Sequence, residues 1–83
     1  MRITVKSGGI LVQHLPAERD GNTAVLEVAE GASPLDVIAQ LGLPMEDSYL
    51  VILNGENLPK SERAERSLAE DDFLAIMPPL KGG

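Results

Sequence analysis

The sequence predicts a small α+β domain: one sheet, mixed and mainly antiparallel, with one main helix packed against it. Three observations carry this. Arg2–Lys6, near the start of the chain, alternates polar and apolar residues and is rich in β-branched ones, and Phe73–Met77, near its end, is a short apolar run. One segment alone, near residues 34–41, combines helical spacing with recognisable start and stop residues. The order of elements, strand, ambiguous segment, strand, helix, strand, short strand, strand, fits a mixed α+β domain on a single sheet. At 83 residues the chain makes one domain.

Arg2-Ile3-Thr4-Val5-Lys6 alternates polar and apolar residues, the pattern of a half-buried strand. Ser7-Gly8-Gly9 breaks it. Ile10–Leu15 fits either a strand or a short helix, and Pro16–Asn22 is a polar loop. Thr23–Val28 is the second strand, ended by Glu30-Gly31.

Ser33 then supplies a helix N-cap, and Pro34 suits the first helical position, where its missing N–H costs nothing. Asp36 favours the positive end of the helix dipole. Leu35, Ile38 and Leu41 line one face with Val37 beside them. Gly42 is the expected left-handed C-terminal residue, and Pro44 blocks resumption. A helix over residues 34–41 is about 12 Å long and too short to stand without a sheet.

Tyr49–Leu53 is nearly all apolar and suits a central strand covered on both faces; Leu50, Ile52 and Phe73 are expected in the core. Asn54-Gly55 is a strong hairpin signal, with Glu56–Leu58 as the short return strand. Lys60–Ser67 alternates charge and reads as a solvated loop or a single turn, anchored by Leu68. Glu70-Asp71-Asp72 is a turn, and Phe73–Met77 is the last strand. Chain ends placed in this way suit a sheet whose first and last strands are neighbours at its centre.

Composition excludes several function classes. There is no cysteine, hence no disulfide scaffold, no thiol nucleophile and no thiolate metal site. The net charge is −6 and the seven Lys/Arg are scattered, which argues against nucleic acid and for a basic protein partner. No apolar run is long enough for a signal peptide or a membrane span, so the expected compartment is the cytoplasm. His14 is the lone histidine, too little for a triad or a metal site. Glu70-Asp71-Asp72 lacks the convergent oxygens a cation needs. Gly8-Gly9 lacks the spacing and following helix of a phosphate loop.

The C-terminal segment is more specific. Phe73–Met77 runs into Pro78-Pro79-Leu80-Lys81-Gly82-Gly83. The prolines lack N–H donors and fix φ, so the strand must stop there and leave along an extended path. Six residues past Met77 reach at most about 20 Å. The glycine pair is thin enough to thread a channel and leaves its terminal carbonyl unhindered. With composition alone, a frayed terminus is an equal reading.

Together, the Ala32-Ser33-Pro34-Leu35-Asp36-Val37-Ile38 helix entry, the Val51-Ile52-Leu53-Asn54-Gly55-Glu56 hairpin and the Pro-Pro-x-x-Gly-Gly ending resemble the MoaD/ThiS family of ubiquitin-like sulfur carriers. The resemblance covers most of the chain and is weakest over residues 7–22. It implies a β-grasp fold over residues 1–77 and an extended diglycine tail over 78–83. It implies a carrier and not an enzyme. Gly83 is adenylated at the expense of ATP, which the partner uses, and is then converted to a thiocarboxylate. Pro78, Pro79, Leu80, Lys81 and Gly82 are the segment that partner clamps.

No resident metal or cofactor is expected. The implied partners are a ubiquitin-activating-type adenylyltransferase, a persulfide sulfur donor and a sulfur-accepting synthase subunit. The proline pair resembles carriers of molybdopterin or tungsten-cofactor synthesis; thiamine thiazole synthesis is the other pathway. Two further readings stand beside it: a ubiquitin-like modifier conjugated through Gly83, and a non-catalytic binding module whose glycines are incidental.

Overall fold

A computed structural model describes residues 1–43 and 49–78. Its strands are β1 (Arg2–Ser7), β2 (Thr23–Glu27), β3 (Leu50–Leu53), β4 (Glu56–Asn57) and β5 (Phe73–Met77). The α-helix α1 is Pro34–Gln40, and 3₁₀ helices span Gly9–His14 and Lys60–Glu62. The strand order is β2-β1-β5-β3-β4. β1 and β5 run parallel, with Val5 opposite Leu74 and Ser7 opposite Ile76. The other three pairings are antiparallel. The first and last strands are therefore neighbours and β5 is central, as the sequence predicts.

One face of the sheet forms the core. Side chains alternate along a strand, so Ile3 and Val5, Ala24 and Leu26, Val51 and Leu53, and Leu74 and Ile76 project to the same side, all buried. Val37 and Ile38 of α1 are buried in the same cluster. Each Leu, Ile or Val so buried contributes about 1.5–3 kcal/mol. The helix start is doubly tied: the Asp36 N–H donates to Ser33 Oγ at 3.2 Å and the Ser33 N–H donates to Asp36 Oδ2 at 2.9 Å. Gly42, at φ 75°, ends the helix as its position predicts. Pro44 lies outside the described residues.

The ambiguous segment resolves as a 3₁₀ helix that buries Leu11 and Leu15. One expectation is corrected. Leu50, Ile52 and Phe73 are not core: Leu50 and Ile52 are half-buried and Phe73 is 40% exposed. All three project from the face opposite α1, because the residues next to them in the chain, Val51, Leu53 and Leu74, take the inner positions. A continuous apolar run does not reveal which parity faces inward. The charged Lys60–Ser67 segment is solvated as expected and opens with a single 3₁₀ turn, with Arg63 as its one buried residue. Arg63 is 8% exposed, its Nε–H donates to the Leu58 carbonyl, and its own carbonyl accepts the Leu35 N–H. Leu68 anchors the segment as expected.

Candidate functional site: the root of the C-terminal tail and the open face of the sheet

β5 carries the chain to its C-terminal segment and lies at the centre of the sheet. Hydrogen-bonded neighbours hold it on both sides. Its start is also locked. The Phe73 N–H donates to Asn54 Oδ1 at 2.8 Å, the Asn54 N–H donates to the Phe73 carbonyl at 2.8 Å, and Asn54 Nδ2 donates to Asp72 Oδ1 at 3.0 Å. The hairpin residue Asn54 thus serves both its own turn and the entry to β5. In the preceding turn Asp71 takes φ 69°, a conformation usual for glycine.

The strand ends at Met77, immediately before Pro78, the only residue of the expected tail that is described. Pro79, Leu80, Lys81, Gly82 and Gly83 lie outside the described residues. Pro78 is half-buried. An added Cβ on Gly8 would lie 2.6 Å from Met77 Sδ and 3.5 Å from Pro78 Cδ; one on Gly9 would lie 3.2 Å from Pro78 Cγ. Gly8-Gly9, read from sequence only as a strand breaker, therefore lies against the root of the tail. The paired glycines were a visible signal, but only the β1–β5 register shows what they face.

Among the described residues the face opposite α1 is partly covered: Ala75 is buried, Leu50, Ile52 and Met77 are half-buried, and Val25 and Phe73 are exposed. Register places Leu50 beside Met77, and Ile52 beside Ala75, which is in turn beside Lys6. Phe73 lies beside Thr4, whose other neighbour is Val25, 63% exposed. An apolar strip thus runs along β3 and β5 from the tail root to Phe73, with Lys6 at its side. Among the described residues, Val25 and Phe73 are the exposed large hydrophobics.

Chemistry of its own is sparse. Among the described residues no group of three or more His, Asp or Glu could hold a metal ion. The buried polar residues there are Ser7, Ser33 and Arg63. Ser33 caps α1 and Arg63 braces the Leu58 loop. Ser7 Oγ has no hydrogen-bond partner among the described residues. His14 is half-buried at the end of the first 3₁₀ helix. No described helix is long and apolar enough to cross a membrane.

A mixed five-stranded sheet, its terminal strands parallel and adjacent at the centre and one helix across a single face, is a ubiquitin-like β-grasp. The chain belongs to the ThiS family, whose model matches residues 10–83. Among solved structures it is similar to SAMP1 from Haloferax volcanii, with TM-score 0.71, 22% identity and 100% of both chains covered. It is similar also to a Pyrococcus furiosus protein provisionally named molybdopterin converting factor, subunit 1, with TM-score 0.69, 17% identity, and 95% and 98% of the two chains covered. Urm1 from Trypanosoma brucei gives TM-score 0.64 at 16% identity over 99% and 95% of the chains. These likenesses show the fold. Among proteins of curated function none matches the chain.

Proposed function

We propose that the chain is a sulfur carrier whose Gly83 carboxylate is activated and loaded with sulfur by partner enzymes. The observation that carries this is the family match, which runs through to residue 83 and so includes the glycine pair. We place the division between folded domain and tail at Met77 and Pro78.

The chemistry explains what the chain contains and what it omits. A carboxylate resists nucleophiles because it is anionic and has a poor leaving group. Condensation with ATP releases pyrophosphate and gives an acyl-adenylate, from which AMP departs readily. A persulfide attacks the carbonyl and forms an acyl disulfide. A partner thiol then cleaves the S–S bond, leaving the thiocarboxylate on Gly83 and a disulfide on the partner. Each acid, base and thiol in this sequence belongs to the partner, so the carrier acts as a substrate and not as an enzyme. Family members work with activating enzymes and synthase subunits and are generally non-catalytic.

The apolar strip Leu50, Ile52, Ala75, Met77 and Phe73 is the surface on which the activating enzyme rests. A tail of six residues alone must be ordered for little buried area, and the strip adds area contiguous with the tail root. The acceptor is a synthase subunit of molybdopterin or tungsten-cofactor synthesis, a reading supported by the likeness to the Pyrococcus furiosus protein.

A second reading is conjugation to lysine amines from the same adenylate. The name of another similar structure, small archaeal modifier protein 1, favours it. The test is ATP–pyrophosphate exchange by the cognate adenylyltransferase on the full chain and on a chain lacking Gly83. The full chain should support exchange and the truncated one should not. Undiminished exchange on the truncated chain overturns the proposal.

A further inference from the structure

We propose that Gly8 and Gly9 form a seat that aims the chain as it leaves Pro78, making Gly8 a positioning residue for activation of the tail. The inference rests on the reading of the tail as the activated end. It begins with a question about residue type. Gly8 has φ −102° and ψ 160°, ordinary extended backbone that any residue adopts. Backbone conformation therefore does not explain glycine there, and the space around it does.

Any side chain at residue 8 would place its Cβ 2.6 Å from Met77 Sδ, closer than nonbonded atoms approach. Gly8 itself cannot retreat. Its N–H donates to the Ile76 carbonyl at 3.2 Å, extending the β1–β5 ladder by one residue. Its carbonyl accepts the Leu11 N–H at 3.1 Å. Ser7 before it is fully buried, and Leu11 and Leu15 after it are fixed in the core. What yields is the Met77 side chain, which packs beside the ring of Pro78; that ring lies at ordinary contact distance, 3.5 Å from the same point.

Gly9 completes the seat. At φ 56° a substituted residue would be strained, and its Cβ would press on Pro78 Cγ at 3.2 Å. Two glycines in succession let the backbone of residues 8 and 9 lie directly under Met77 and Pro78. The proline supplies a fixed φ on one side of this contact and the bonded Gly8 supplies rigidity on the other. The direction in which the chain departs from the sheet is thereby set before any partner binds. A partner that accepts the chain along that direction has one fewer backbone residue to order, which is worth about tenfold in affinity.

The experiment compares wild type, Gly8→Ala, Met77→Ala and the double variant. The adenylyltransferase from the same cells is titrated with each carrier in ATP–pyrophosphate exchange. Gly8→Ala should raise KM about tenfold and leave kcat within about twofold. The double variant should return to within about threefold of Met77→Ala alone, because the clashing sulfur is gone. Residual dipolar couplings of the Cα–Hα bonds of Met77 and Pro78 form the second measurement. They should fit the alignment of the domain in wild type and depart from it in Gly8→Ala. A KM for Gly8→Ala equal to wild type, additive losses in the double variant, or couplings unchanged by Gly8→Ala would each overturn the seat. Absence of exchange with wild type would instead overturn the carrier reading, and the couplings would still decide the seat.

Discussion

Replacing Phe73 by Thr separates the surface reading from the folding one. Phe73 projects from the face opposite α1 and is 40% exposed. An aromatic side chain spans about 150–250 Å², so about 60–100 Å² of ring faces solvent and is available to a partner. At about 25 cal/mol per Å² this is worth about 1.5–2.5 kcal/mol of binding, or about 10–70-fold in Kd. The area already covered costs the fold about 2–4 kcal/mol on the same scale. Total stability for a domain of this size is about 4–12 kcal/mol, so the variant remains folded under mild conditions. Threonine is β-branched and suits a strand, and it keeps the N–H that bonds Asn54 Oδ1. Calorimetric titration of the activating enzyme with each carrier reads the binding, and circular dichroism at the same temperature verifies the fold. Val25→Thr is the control: Val25 is 63% exposed but lies on β2, two strands from β5, and its loss should change Kd less than about threefold. A folded Phe73→Thr carrier that binds within twofold of wild type would refute the apolar strip as a docking surface.

Three further outcomes are expected. Gly82→Ala should fold normally yet be adenylated poorly, since a methyl group must enter a channel that admits an unbranched chain and positive φ is lost; wild-type rates in pyrophosphate exchange would refute steric selection at the tail. A synthetic peptide of residues 77–83 should bind the activating enzyme at least about tenfold more weakly than the whole protein, and equal affinities would refute the contribution of the sheet. Ser7→Ala should stabilise the domain by about 1 kcal/mol, because a buried hydroxyl without a partner among the described residues is removed. Thermal unfolding should then show a Tm about 4–8 °C higher, and a lower Tm would contradict the account of Ser7.

Much of the fold was legible because its signals are local. Ser33, Pro34 and Asp36 mark the start of α1 through backbone chemistry that acts within one turn. Asn54-Gly55 specifies a hairpin for the same reason. The alternation in Arg2–Lys6 named the inward residues of β1 correctly, since polar residues mark the outer face. Leu50–Leu53 and Phe73–Met77 have no such polar marks, so their parity became visible only through the pairing of β5 with β1 and of β3 with β5. The tail chemistry was legible from residue type, yet the seat at Gly8-Gly9 was not. It depends on a contact between residues about 70 positions apart in sequence, created by the parallel β1–β5 ladder.

The most direct test of the central claim is the intact mass of the protein purified from its own cells under conditions that preserve thiocarboxylates. The carrier account predicts a species heavier than the chain by the exchange of one oxygen for sulfur, with the change confined to the C-terminal fragment that holds Gly83. A population consisting only of unmodified chain, or of chain joined through Gly83 to the lysines of other proteins, would contradict it.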